Sequence, residues 1–306
     1  MALSIVVPVY NSEASLELLA ERIQAVLGES FAPLELILVN DCSRDGSWAV
    51  IEKLRAGRPW VRGINLARNF GQHNALLCGI RAARYPLIVT MDDDLQNPPE
   101  EVPRLVKKIE EGFDVVYGTP RKESHGLLRD LASVVTKSVL QHAMGAETAR
   151  NVSAFRCFRA ILRDAFEDYR SPYVSIDVLL TWGTRSFAAI EVRNEPRRFG
   201  VSNYTVRKLI VHALNMMTGF STLPLQVASL AGFGFMLFGL AVLALVVGRY
   251  LIQGTSMPGF PFLASIIAIF SGTQLFALGV IGEYLARMHV RSMGRPSYVV
   301  KQALGD

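Results

Sequence analysis

The sequence is poor in charge and in cysteine. Only 19% of its 306 residues are Asp, Glu, Lys or Arg, half are hydrophobic, and the mean hydropathy is +0.27. A chain this apolar is not disordered, and it is more apolar than an ordinary soluble enzyme. Its three cysteines, Cys42, Cys78 and Cys157, are scattered, odd in number and form no C-x-x-C pair. They build neither a disulfide scaffold nor a metal site, and they fit a reducing compartment. The five histidines have no ligand spacing and read as structural. No G-x-G-x-x-G follows the first apolar run, and no G-x-x-x-x-G-K-[ST] occurs, which disfavours a dinucleotide-binding dehydrogenase and a P-loop NTPase. Glycine and proline follow no period, so the chain is not collagen-like, and no internal repeat is present. The opening MALSIVVPVY lacks a basic n-region and an adequate apolar stretch, so it is not expected to be a signal peptide.

Two long apolar runs account for the composition. Leu225–Val247 and Phe260–Ile281 carry no charge over 23 and 22 residues. A spanning helix needs roughly 20. Arg207, Lys208 and His212 precede the first run, Arg287, Arg291 and Arg295 follow the second, and the short loop between them carries only Arg249. The positive-inside rule then places both ends in the cytoplasm. Before the first run, Val206, Leu209, Ile210, Ala213, Leu214 and Met217 recur at helical spacing, which predicts an amphipathic helix on the membrane surface over 203–222. The expected division is a cytoplasmic domain over 1–202, that surface helix, two spans within 223–286 (about 225–247 and 260–282), and a cytoplasmic tail over 287–306.

Charge is distributed unevenly. Residues 1–118 carry 12 Lys/Arg against 16 Asp/Glu, and residues 119–208 carry 15 against 9. An acidic segment followed by a basic one suggests a cation site beside an anion site, although ordinary surface scatter gives the same numbers. Within 1–118, short apolar runs alternate with helical patterns. Strands are expected at Leu3–Val9, Leu34–Asn40, Val61–Asn65, Leu87–Met91 and Asp114–Tyr117, with helices between them. This predicts an α/β fold with a mostly parallel sheet, whose ligands bind at the carboxyl ends of the strands.

Asp41 and the triplet Asp92-Asp93-Asp94 fall at two such ends. Three adjacent carboxylates repel each other unless a cation or solvent intervenes. A hard divalent cation accepts such oxygens and commonly bridges a carboxylate to phosphates. In extended backbone Asp92 and Asp94 share a face, with Gln96 next on it and Asp93 opposite. A solvated acidic turn is the plainer alternative.

The motifs form an ordered series: Pro8-Val9-Tyr10-Asn11, Asn40-Asp41-Cys42-Ser43-Arg44-Asp45-Gly46-Ser47, Asp92-x-Asp94-Leu95-Gln96-x-Pro98-Pro99-Glu100, Arg197-x-x-Gly200-x-Ser202, the two spans, and Gly282-Glu283-Tyr284 with Arg295-Pro296-x-Tyr298. The series resembles family-2 glycosyltransferases with a GT-A fold, and within them those that act on polyprenyl phosphates. The resemblance covers essentially the whole chain. It implies a Rossmann-like GT-A domain ahead of the surface helix and hairpin. It implies inverting sugar transfer from a nucleotide-sugar, UDP-linked by preference, to undecaprenyl phosphate at the cytoplasmic face of the inner membrane. UDP-4-deoxy-4-formamido-L-arabinose and UDP-glucose are both open as donor, and mannosyl transfer from GDP-mannose is an alternative. Pro8, Tyr10, Glu13, Asp41, Asp92 and Asp93 are implied as nucleotide-sugar contacts. Asp92 and Asp94 are implied as catalytic and, with Gln96, as ligands of Mg²⁺ or Mn²⁺. Arg121, Arg129, Ser133 and Arg197 are implied to hold the acceptor phosphate. A homo-oligomer, as large as a tetramer, is a further implication, and no nucleic-acid partner is expected.

Two positions depart from the family. Ala154 stands before Phe155-Arg156 where some relatives carry an acid, and Asn203 stands where many carry Lys. A processive polysaccharide synthase is disfavoured by the two spans and the lack of Q-x-x-R-W. A non-catalytic scaffold that retained the fold is disfavoured by the intact Asp92, Asp94 and Gln96.

Overall fold

The computed structural model describes residues 1–120, 152–196, 223–253 and 259–305. Arg121, Arg129, Ser133, Arg197 and the expected surface helix over 203–222 lie outside the described residues. The chain divides into two units, Met1–Ala213 with Gly294–Asp306, and Leu214–Met293.

The first unit is built on an eight-stranded sheet in the order β7-β5-β6-β4-β1-β2-β3-β8. Its strands are β1 (Leu3–Val9), β2 (Leu34–Asn40), β3 (Val61–Leu66), β4 (Leu87–Thr90), β5 (Val115–Pro120), β6 (Arg156–Arg159), β7 (Phe187–Val192) and β8 (Val300–Leu304). β4, β1, β2 and β3 run parallel, and β5 is parallel to β7. β6 is antiparallel to β4 and β5, and β8 is antiparallel to β3. The mostly parallel α/β sheet is thus as expected. β1 is buried along its whole length, which is why LSIVVPV reads as a continuous apolar run and not as an alternation.

Helices cover both faces. α1 (Leu16–Leu27) turns Leu16, Leu19, Ala20, Ile23 and Leu27 inward, the i, i+3, i+4 stripe of an amphipathic helix. They join Leu3, Ile5, Val7 and Val9 in one core with Ile51 and Leu54 of α2 (Ser47–Gly57) and Leu105 and Ile109 of α4 (Val102–Glu110). On the other face α3 (Gln72–Ala82) lies so close to the sheet that a Cβ on Gly79 would sit 2.3 Å from Val6 Cγ1. α5 (Ile176–Gly183) follows a 3₁₀ segment, Ala160–Phe166.

The end of the chain departs from the expected tail. The second long helix continues to Ser292, and Val300–Leu304 forms an edge strand of the first unit's sheet. Ser297 fixes the approach, donating through Oγ to the Ser171 carbonyl at 2.8 Å. A five-residue exposed strand after two apolar runs offers little pattern to read, whereas pairing with β3 satisfies an edge that would otherwise be open.

The second unit is that hairpin: α6 (Leu223–Gln253) and α7 (Phe260–Ser292). Both exceed the expected spans, and both are long and apolar enough to cross a membrane, over Leu225–Leu245 and Ile269–Ser292. Their large apolar side chains face outward, Leu230 at 73% and Leu275 at 69% exposure, as lipid-facing residues do. The two helices meet where Phe235 packs edge-on against Phe270, with ring centres 6.1 Å apart.

Candidate active site

A cleft of about 1230 Å³ opens at the carboxyl ends of β1, β2, β3 and β4. Pro8, Tyr10, Ser12 and Glu13 come from the end of β1 and the loop after it, Asp41 and Asp45 from the loop after β2, Asn69 from the loop after β3, Gln72 from the start of α3, and Asp92, Asp93 and Asp94 from the turn after β4. The structure therefore brings together all the expected nucleotide-sugar residues and two of the three expected metal ligands. The third, Gln96, lies two residues beyond Asp94 in the same turn, where its N–H donates to Asp94 Oδ1 at 3.1 Å.

The acidic triplet is a turn and not a strand extension. β4 stops at Thr90, and Leu95 takes a left-handed φ of +61° ahead of Pro98-Pro99. The three carboxylates go to different neighbours. Asp92 Oδ1 accepts from Gln72 Nε2 at 2.7 Å. Asp93 accepts from the Ser12 hydroxyl and from the Tyr10 N–H. Burial pushes the Asp93 carboxyl up to about 6, with the neighbouring Asp94 charge adding to the rise and Ser12 and Tyr10 opposing it. Asp93, expected as a nucleotide contact, lines the cleft and also holds the β1 loop.

Glu13 and Asp41 are likewise engaged with backbone. Glu13 Oε2 accepts the Gly46 N–H at 2.9 Å, and Asp45 Oδ2 accepts the Glu13 N–H at 3.1 Å. These bonds brace the β1 and β2 loops against each other. The buried Asp41 accepts from the N–H groups of Phe70 and Gly71 at 2.7 and 2.8 Å, which fixes the loop after β3. Burial raises its carboxyl above the ordinary range against the pull of those two N–H groups. Pro8 is buried in β1, while Tyr10 is exposed at the lip.

A line of polar bonds stiffens the cleft wall. Asn65 Oδ1 accepts from Asn40 Nδ2, Asn40 Oδ1 accepts from the Ser43 hydroxyl, and Ser43 Oγ accepts the Asn11 N–H. Asn11 and Cys42, both at φ +55°, lie two residues beyond β1 and β2. With Leu95, three non-glycine residues hold left-handed backbone around one cleft, the kind of strain that collects at functional sites.

Behind the acidic turn lies a buried ion pair. Arg156, 1% exposed, holds Asp177 on α5 and donates through Nε to Thr90 Oγ1 at 3.1 Å. Tyr117 donates to the same Asp177 oxygen at 3.0 Å. The Thr90 hydroxyl donates to the Ala154 carbonyl at 2.7 Å, so Ala154 meets β4 through its backbone.

The site residues expected from the sequence do not include Ser12, Asn69, Gln72 or Asp177, and Asp45 enters only as part of the motif Asn40–Ser47. Arg68-Asn69-Phe70-Gly71 directly follows β3, so the rule that singled out Asp41 and Asp92 also points to it. Asp177 has no local signal.

A divalent cation fits this donor set. The turn offers hard carboxylate oxygens on a half-buried cleft wall, and a Mg²⁺-like ion needs only one or two carboxylates besides phosphate and water. Among the described residues no three His, Cys, Asp or Glu side chains converge as an all-protein cage. Such a cage is not required of an ion that takes phosphate oxygens.

A mostly parallel sheet with a loop-walled acidic cleft at its carboxyl ends is the arrangement in which α/β enzymes bind their ligands. The sequence profile described as "Glycosyl transferase family 2" matches residues 4–170. The chain belongs to glycosyl transferase family 2 and is a glycosyltransferase. It is 36% identical over 304 residues to an undecaprenyl-phosphate 4-deoxy-4-formamido-L-arabinose transferase of Shewanella sediminis, covering 98% of this chain and 92% of that one. A transferase of the same name from Photorhabdus laumondii is 34% identical, covering 99% and 94%. The fold is similar to that of glucosyl-3-phosphoglycerate synthase from Mycobacterium tuberculosis, solved with Mn²⁺, UDP and phosphoglyceric acid. The TM-score is 0.52 at 20% identity, covering 71% of this chain and 76% of that one. The architecture is the GT-A fold followed by two candidate membrane helices.

Proposed function

We propose that this glycosyltransferase moves 4-deoxy-4-formamido-L-arabinose from its UDP derivative to undecaprenyl phosphate at the cytoplasmic face of the inner membrane. The observation that carries the reading is the acidic turn Asp92–Asp94 at the head of a cleft large enough for a nucleotide-sugar, in a chain similar over its whole length to transferases of that name. UDP-glucose and GDP-mannose are the competing donors.

Asp92 and Asp94, with Gln96, would hold Mg²⁺ or Mn²⁺. When bound, the cation supplies positive charge against the departing nucleoside diphosphate. Tyr10 and Pro8 border the space for the nucleotide, while Asp41, Glu13 and Asp93 hold the loops that shape it. Arg121, Arg129, Ser133 and Arg197 are proposed to bind the acceptor phosphate, for which Arg offers paired hydrogen bonds. A phosphate monoester has a second pKa of about 6 and is largely a dianion at neutral pH. It therefore attacks the anomeric carbon without a strong base, which suits a chain with Ala154 in place of an acid. A single in-line displacement inverts the anomeric centre.

We infer that both ends of the hairpin lie in the cytoplasm. The basic residues flanking the spans favour that placement.

The test is transfer from a panel of UDP-4-deoxy-4-formamido-L-arabinose, UDP-glucose and GDP-mannose to undecaprenyl phosphate, with the product's anomeric configuration read by NMR. Transfer of the formamido sugar with inversion supports the reading. Preference for either other donor, or retention, overturns it.

A further inference from the structure

Residues 193–196 leave β7 and lead in sequence straight to Arg197. In the structure this exit is tied to the acidic turn. The Glu195 N–H donates to the Gln96 carbonyl at 2.8 Å. The Gln96 N–H in turn holds Asp94 Oδ1, with the left-handed Leu95 between the two residues. The Glu195 carboxylate is held by Arg22 of α1, whose Nε also donates to Glu100 at 2.9 Å. The Arg22 and Glu195 side chains are only 23% and 25% exposed, so their pairing is shielded from solvent more than a surface ion pair is. One residue thus touches the acidic turn through its backbone and α1 through its side chain.

We propose that Glu195 is a positioning residue for sugar transfer: it sets the Asp94–Gln96 turn and, with Arg22, fixes where the chain leading to Arg197 departs from it. The inference rests on the reading of Asp94 and Gln96 as metal-side residues. A helix-to-strand brace with no further role would lower stability alone. A positioning residue shifts cation-dependent nucleotide binding and acceptor KM as well. Partners one layer behind metal ligands typically alter affinity or activity by about 10–100-fold.

The experiment uses the full chain in detergent with Glu195→Ala, Arg22→Ala, the milder Glu195→Gln, Asp94→Asn, and Lys108→Ala as a surface ion-pair control. Calorimetry measures UDP binding across a Mn²⁺ titration, and kinetics give KM for undecaprenyl phosphate. The expected result is UDP binding in Mn²⁺ weakened about tenfold in Glu195→Ala and Arg22→Ala. Acceptor KM should rise, Glu195→Gln should fall between, and Lys108→Ala should match the parent. Glu195→Gln carries the test if the alanine variants do not fold. Variants that melt earlier yet keep parental binding and acceptor KM, while Asp94→Asn is impaired, overturn the proposal. Parental behaviour of Asp94→Asn overturns the metal-side reading beneath it.

Discussion

Gln72 Nε2 donates to Asp92 Oδ1 across 2.7 Å, joining the first turn of α3 to the acidic turn after β4. The bond aims one carboxylate of the triplet toward the cleft wall formed by α3. Gly71, at φ +96° and with open space where a Cβ would lie, lets the chain turn into the helix at that point.

Gln72→Ala is expected to release Asp92 and to raise the cation concentration for half-maximal transfer about tenfold. Stability should stay within about 0.5 kcal/mol, because the Gln72 side chain is exposed. Initial rates across a Mn²⁺ series, with thermal melts alongside, check both.

Arg156→Ala should be severe. It leaves Asp177 with its charge buried and removes the donor to Thr90, and breaking a buried pair from one side costs about 3–5 kcal/mol. Replacing both partners, Arg156→Met with Asp177→Leu, should recover part of that loss, because no buried charge is then left alone. Denaturation of the three proteins under one condition tests the order.

Glu101 gives a pH signature. Burial raises its carboxyl, but hydrogen bonds from Arg193 and Arg104 outweigh that and hold it below the ordinary glutamate range. A carboxyl lowered by folding contributes stability that is present above its unfolded value and lost as pH falls through the folded one. Glu101→Gln should therefore cost about 1–2 kcal/mol at neutral pH, since both arginines are more than half exposed. The gap from the parent should close below about pH 4.5. Melting temperatures from pH 3 to 8 measure it.

The sequence pattern reveals β1 to β5, because buried parallel strands are largely apolar runs that stop near polar loop residues, but it does not reveal β6 and β7, which are short and lie beyond the clear alternation of strand and helix. The same ends locate Asp41 and the Asp92 triplet. The geometry within the triplet is not legible, because extended alternation gives way to a turn at Thr90, and Leu95 redirects the chain. Asp177 and Arg156 are 21 residues apart on different elements, so only the fold pairs them. β8 is a short exposed strand whose place depends on β3 having a free edge. Gln72 was within reach, since it lies just past Arg68-Asn69-Phe70-Gly71 at the end of β3.

The most direct measurement is transfer of labelled sugar from UDP-4-deoxy-4-formamido-L-arabinose to undecaprenyl phosphate by the parent and by Asp94→Asn, each with Mn²⁺ or with EDTA. The account predicts transfer by the parent with metal, none with EDTA, and none by a folded Asp94→Asn. Undiminished transfer by Asp94→Asn, or by the parent in EDTA, contradicts it.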